Sequence, residues 1–574
     1  MEITKIDPPC WFAGLKSKEF SLLIYGCGLK DAKVTTNIPY SAIKYSGTDK
    51  YLFVTLILCD SMEEGYYDIT IISLQGSLCR RYEFKQHRAW NVVEPSISNK
   101  DVVYLVMPDR FAKGKNQNTK TSDIDTSDPN AWHGGNISGM IDSLAFLEDF
   151  GITALWHTPI FKNSAYHGYA IEDFYAIDNH FGDIENYKTF VEQSHKKGIK
   201  VVMDVVFNHC SIKHPWVKTP PTKEWFNDTG KEKKCITNYK TTTVFDPHVA
   251  NVDLEQTVNG WFTEEMPDLN LKSDEVLSYM IQMTKWWIET TGIDAIRMDT
   301  YLYSDLDAMI KWQNELSKEY PYFSVLAETW VPDTAYTSKI QKEVSYQLLK
   351  DSSFIVMDFA FQKKMEQYLG RNTVYDKEAS LYHYFVNDFL FLDLQNVLVF
   401  LDNHDLPRWF GSVRSKAKLK QALGILLTVP RIPQIYYGTE FMITNDGKGT
   451  GDGNYRVDTF EQIKKYDEND IFKFTKKLLC WRKNSKPIAY GSMKHFIPQN
   501  GIYVYFRIYE DEKVMVISNG LSKSSTLDFG RYREELSGYE YGINVVTGRK
   551  FFLKDNQNLR IKRNEIIILN LVGK

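Results

Sequence analysis

A chain of 574 residues corresponds to three or four domains at about 150 residues each, although a (β/α) barrel alone absorbs roughly 250. Hydrophobic residues make up 43% and charged residues 25%, an ordinary globular balance that excludes wholesale disorder. Lys plus Arg is 69 and Asp plus Glu is 73, a formal charge of −4, which leaves no electrostatic case for nucleic acid or an anionic membrane surface.

The N-terminus, MEITKIDPPC, has no basic segment followed by an apolar run. No secretory signal is therefore expected in the chain as numbered, which fits a cytoplasmic protein or a periplasmic or extracellular form whose signal was removed. Residues 1–95 read as short strands. SLLIYG, YLFVTLIL and YYDITII are β-branched and aromatic runs separated by turn residues, the pattern of a small β-sandwich. Aromatic residues make up 14% of the chain and either pack cores or stack on sugar rings. In this block Trp11, Phe12 and Trp90 are candidates for stacking on a glucan, with core packing the favoured reading.

From 96 to 485 short apolar runs alternate with helical patterns, which implies βαβ units and a parallel sheet. The runs VVYLVM, ITALWHTPI, IKVVMDVV, IDAIRMD, FSVLAE, SFIVMDFAF, VLVFLDNHD and PQIYYGTE are eight candidate strands, the number that closes a barrel. About 60 residues after the third, at about 210–270, are too many for a simple loop and predict an inserted subdomain. From 486 to 574 the β texture returns in IYVYFRIY, KVMVIS and EIIILNL, predicting a second sandwich. The seven cysteines show no CxxC pair and are expected to be buried or partly buried thiols. No stretch approaches 18 apolar residues, so no membrane span is expected.

In a parallel barrel the chemistry sits where strands end at the C-terminal face. Four strand ends are unusual: Asp204 with Asn208 and His209 on the third, Arg297 and Asp299 on the fourth, Glu328 on the fifth, and Asn403, His404 and Asp405 on the seventh. A single carboxylate of this kind commonly caps a helix or pairs with Arg. All four in this order are hard to produce by accident.

These segments resemble the four signature regions of glycoside hydrolase family 13, the α-amylase family, and within it the neopullulanase and cyclomaltodextrinase group. The resemblance extends to 134–161, to YHGYAIEDFYAIDNHFG (166–182), to MPDLN (266–270) and to IYYGTE (435–440), and the three-block layout fits the group. It implies a (β/α)8 barrel with an insertion after strand 3 between two β-sandwiches. It also implies retaining chemistry, which needs two carboxyl groups about 5–5.5 Å apart. Asp299 would be the nucleophile, Glu328 the general acid and Asp405 the third carboxylate. Arg297, two residues before Asp299 on the same side of the strand, would keep that carboxylate ionised and belong with the substrate-binding residues. His209 and His404 would donate to sugar hydroxyls, and Tyr169 would be the platform beneath the ring. Asp204, Asn208 and Arg408 would support the site without touching substrate. Trp330 would line a subsite or pack.

Members of this group usually carry a calcium loop after the first strand. Here it reads DRFAKGKNQNT, with Lys113, Lys115 and Thr119 where ligands would stand, so no metal is expected. The expected partner is an α-glucan or maltooligosaccharide, and dimerisation is common in the group. MPDLN and Thr300 lean toward α-1,4 bonds. The leading expectation is an α-1,4-glucan hydrolase acting on maltooligosaccharides, cyclodextrins, pullulan or starch. The alternatives are a transglycosylase or α-1,6-active relative, and a non-catalytic carbohydrate-binding homologue.

Overall fold

The computed structural model describes residues 1–573 apart from 116–121, 228–234, 371–376, 446–450, 466–467 and 554–557. At its centre eight parallel strands close on themselves: β1 Val103–Val106, β2 Ala154–His157, β3 Lys200–Val205, β4 Ala295–Met298, β5 Ser324–Ala327, β6 Ser353–Met357, β7 Val397–Phe400 and β8 Ile432–Tyr436. Val103 of β1 lies opposite both Ala154 of β2 and Gln434 of β8, which seals the barrel. Seven of the strands are buried along their whole length and β3 exposes only part of Lys200. Side chains fill the barrel inside and helices cover it outside, so both faces are apolar and the strands read as continuous runs. All eight candidate runs are realised as barrel strands.

The covering helices have well-defined ends. Ile184–Lys196 opens on a capping box between Asp183 and Asn186. Asp274–Thr291 stops at Gly292, whose φ of +76° allows its N–H to return to Ile288 O. The insertion between β3 and that helix carries Pro215–Lys218, a 3-10 turn at Thr241–Phe245 and the helix Asn251–Asn259. MPDLN brings it back antiparallel to the exit of β3, where Leu269 N donates to Asn208 O at 2.8 Å.

Two four-stranded sheets form the N-terminal sandwich. Trp11 and Phe12 are 1% and 3% exposed, and Trp11 stacks on Phe20 at 5.3 Å, so these two rings are core rather than a glucan platform. Trp90 packs edge-on against Tyr320 and donates to Pro321 O at 2.8 Å, fastening the linker to the barrel. Ser21 exchanges two hydrogen bonds with Gln282, which seats the sandwich on the helix Asp274–Thr291.

The C-terminal block is a six-stranded sheet beside a two-stranded one. Buried arginines join it to the barrel: Arg507 donates to Thr428 O, Ile488 O and Gly491 O. Arg482, at the end of the last long helix, donates to Leu427 O just before β8 and to Asn99 O just before β1. No disulfide joins the seven cysteines, and Cys10 and Cys210 are buried, but Cys79 and Cys480 are exposed, contrary to the expectation of buried or partly buried thiols. No helix among the described residues is long and apolar enough to cross a membrane.

Candidate active site

The barrel register brings the unusual strand ends together. Asp204 of β3 lies opposite Arg297 of β4, and Glu328 continues β5 with its N–H on Met298 O of β4. Arg297 is fully buried, where an unpaired charge would be prohibitive. It is paired three times. One terminal nitrogen reaches Asp204 at 3.0 Å and Asp299 at 2.7 Å, and the other reaches Glu328 at 3.0 Å. The second Glu328 oxygen accepts from Thr300 N at 2.7 Å. Thr300 has a φ of +47°, a strained conformation for a β-branched residue, and it follows Asp299 directly.

Asp299, Glu328 and Asp405 all line one cavity of about 770 Å³ at this end of the barrel, together with Tyr169, His209 and His404. Arg297, expected among the substrate-binding residues, does not line it. Its two terminal nitrogens are committed to the carboxylates, which makes it their counter-ion. Asp204 and Asn208 are buried and do not line the cavity either. Asp204 accepts from Trp156 Nε1 at 3.0 Å and from the Tyr169 hydroxyl at 2.9 Å. Arg408 is also outside the cavity, with its guanidinium 3.8 Å from the Tyr436 ring centroid.

Burial dominates the titration of these groups. It raises the Glu328 carboxyl to about 8, the Asp299 and Asp405 charges adding to the effect and Arg297 opposing it. Burial also raises Asp299, so Arg297 restrains that rise without cancelling it, whereas the sequence pointed to Arg297 as decisive. Asp405 is different. Burial would raise it, but the Arg456 and Arg297 guanidiniums hold it below the usual carboxylate range. Burial pushes His209 and His404 down to about 3, so both are neutral and each offers one donor and one acceptor. His209 Nε2 has no protein partner among the described residues, and its ring stacks on Phe262 at 4.9 Å. Tyr169 lies parallel to His404 at 5.3 Å and is 2.6 Å from its Nε2 through the hydroxyl.

Two groups of lining residues were not singled out in the sequence. Arg456 bonds Asp405 at 3.0 Å and the Tyr166 hydroxyl at 3.0 Å, close to Asp452 and His167. Tyr239, Phe262 and Tyr303 form an edge-to-face aromatic cluster. Tyr166 and His167 do stand in a motif that was read, YHGYAIEDFYAIDNHFG. Arg456 sits in a loop without periodicity. Trp330 is 43% exposed in the same cavity and stacks on Phe359 at 4.8 Å. The insertion supports it, since Thr241 Oγ1 donates to Trp330 O at 2.6 Å.

The described residues of the loop after β1 leave few oxygens open to a cation. Asp109 is buried and its oxygens already accept from His133 N, Gly134 N and Arg110 Nε. The Lys113 ammonium lies beside Gly134, 3.3 Å from where a Cβ would stand. A hard cation needs several free oxygens, and an ammonium opposes it. Thr119 lies outside the described residues.

Comparison with known proteins agrees with this geometry. The α-amylase catalytic-domain profile matches residues 105–504, and cyclomaltodextrinase N- and C-terminal domain profiles match 5–88 and 493–570. Neopullulanase 2 of Thermoactinomyces vulgaris is 26% identical over 90% of this chain and 86% of its own length. The cyclomaltodextrinase of Thermoanaerobacter pseudethanolicus is 26% identical over 86% and 82%. Among solved structures, an Anoxybacillus α-amylase superimposes with a TM-score of 0.71 at 29% identity, covering 83% of this chain and 98% of that one. The acarbose complex of the Geobacillus thermoleovorans α-amylase gives 0.70 at 26%, covering 85% and 100%. The chain belongs to the α-amylase family of glycoside hydrolases, with N- and C-terminal domains of the cyclomaltodextrinase type.

Proposed function

We propose that this glycoside hydrolase cleaves α-1,4-glucosidic bonds in maltooligosaccharides, cyclodextrins, pullulan or starch with net retention. Asp299 attacks the anomeric carbon while Glu328 gives its proton to the leaving oxygen, so the glycosidic bond breaks as the glycosyl ester forms. Glu328, now a carboxylate, takes a proton from water, and the hydroxide displaces Asp299. Asp405 holds sugar hydroxyls and favours the distorted ring, with His209 and His404 as neutral hydrogen-bonding partners and Tyr169 as the platform beneath. The observation that carries this reading is the single buried Arg297 shared by Asp299 and Glu328, with Glu328 still protonated near neutral pH. The relatives named neopullulanase and cyclomaltodextrinase support the substrate class.

Transglycosylation is the second reading. Glu328, the acid that protonates the leaving group, is followed two residues on by Trp330, whose indole is partly exposed in the same cavity. Sugars stack on such rings and water does not, which favours a sugar acceptor for the glycosyl group.

Product analysis on starch, pullulan and β-cyclodextrin tests both readings beside Asp299→Asn. Panose from pullulan indicates neopullulanase action, preference for the ring indicates a cyclomaltodextrinase, and longer products from maltotriose indicate transfer. Asp299→Asn is expected to lose about 10³-fold or more in kcat. Full activity in that variant sinks the mechanism.

A further inference from the structure

Asp405 depends on Arg456, and Arg456 sits in a stretch, 456–459, that belongs to no helix or strand. Irregular backbone in a buried place must find hydrogen-bond partners outside itself. Here three consecutive carbonyls find them at the ends of three different barrel strands. Arg408, beyond β7, donates through Nε to Tyr455 O at 2.7 Å. Arg110, beyond β1, donates to Arg456 O at 2.9 Å. The Tyr437 hydroxyl, beyond β8, donates to Val457 O at 2.9 Å. Thr459 N closes the segment on Arg110 O at 2.9 Å.

Arg110 does more than hold one carbonyl. Its Nε is anchored on Asp109 at 2.8 Å, and its remaining terminal nitrogen donates to Pro129 O at 3.0 Å and Ala131 O at 2.7 Å. Its guanidinium also lies 4.3 Å from the centroid of the Tyr166 ring, and the Tyr166 hydroxyl accepts from Arg456. One buried fork therefore fixes both the backbone of Arg456 and the ring that receives the Arg456 side chain.

We propose that Arg110 is a positioning residue for the glycosidase reaction: through the Arg456 carbonyl and the Tyr166 ring it aims the Arg456 guanidinium at Asp405. The proposal rests on the reading of Asp405 as the third carboxylate of the site. A lysine at 110 keeps the charge but loses the planar fork, so it cannot serve Asp109, Arg456 O and the 129–131 carbonyls together. Because Asp405 acts on the distorted ring, the loss falls on kcat more than on KM.

The test is a double-mutant cycle of Arg110→Lys with Arg456→Ala, measuring kcat and KM on maltotriose beside thermal unfolding. Arg110→Lys alone is expected to lower kcat on the order of 10- to 100-fold, as misplacement of a reacting group does. In the Arg456→Ala background the same change is expected to cost less than about twofold, since its route is already cut. Equal losses in both backgrounds overturn the proposal and leave Arg110 a support of the fold. Should Arg110→Lys fail to fold, Tyr437→Phe removes a single hydroxyl from the same segment. It must show the same dependence on Arg456 with smaller amplitude, and an additive effect overturns the proposal. Asp405→Asn separates the two levels of argument. If it remains active, the reading of the site falls. If it is inactive while the cycle is additive, only the role of Arg110 falls.

Discussion

Three carboxyls, Asp204, Asp299 and Glu328, share the single guanidinium of Arg297, so they cannot all be ionised at low cost in a buried site. Burial raises Glu328 to about 8 and Asp204 to about 7, so Glu328 keeps its proton to the higher pH of the two, the form a general acid needs. The basic limb of kcat/KM on an uncharged maltooligosaccharide is therefore expected to fall through about pH 8. Activity undiminished well above that pH would contradict the assignment. The same shift bears on stability. The folded carboxyl binds its proton more tightly than the unfolded one, whose usual value is 4.5, so its contribution is present below that pH and lost as pH rises through about 8. Glu328→Gln, neutral throughout, is expected to melt above wild type at pH 8.5 and close to it at pH 4. The residue types at this centre were legible in the sequence because each stands at the end of an apolar run. The balance between burial and Arg297 was not, because it depends on how completely water is excluded.

Among the elements, the strands were the most legible. Burial on both faces makes them unbroken apolar runs, and a polar residue at the end of such a run announces the C-terminal face of the barrel. The segment around Arg456 was illegible for the opposite reason. Its shape is set by side chains distant in sequence that grip its carbonyls, and no period of its own records that. Trp11 and Trp330 show the same limit, since one is core and the other exposed while both are simply tryptophans in the sequence. The loop after β1 gives a prediction at this scale. Asp109 already accepts from two backbone amides and from Arg110, so its oxygens are engaged by protein donors. EDTA is therefore expected to leave both the melting temperature and the activity unchanged. A loss restored by calcium would show that a metal is held there or at another site.

On the scale of the whole molecule, the three blocks meet through buried and part-buried polar contacts. Lys16 N and Ser17 N donate to Glu319, His87 and Arg88 N meet Glu289, and Gln421 reaches Ser518 and Asn519. Such groups exchange these partners for water if a block is removed. The near-neutral net charge also suits a neutral glucan, which is recognised by rings and hydroxyl-binding groups rather than by a field.

Arg482 spans from Asn99 to Leu427, and β1 has no neighbour on one side until β8 arrives. On a ribosome this fixes an order of events. The N-terminal sandwich is complete by residue 86 and can form as it emerges, whereas β1 must wait, one edge open, for about 330 further residues. At 5–20 residues per second that wait is on the order of 15 to 70 s. Pulse proteolysis of stalled nascent chains is expected to find the sandwich protected and the barrel digestible at lengths that stop short of β8. Protection should spread to the barrel only once Arg482 has cleared the exit tunnel, and barrel protection in chains lacking β8 would show that closure is not what completes the fold. During that interval the cell holds an unclosed sheet, whose open edge is a template for pairing with other chains.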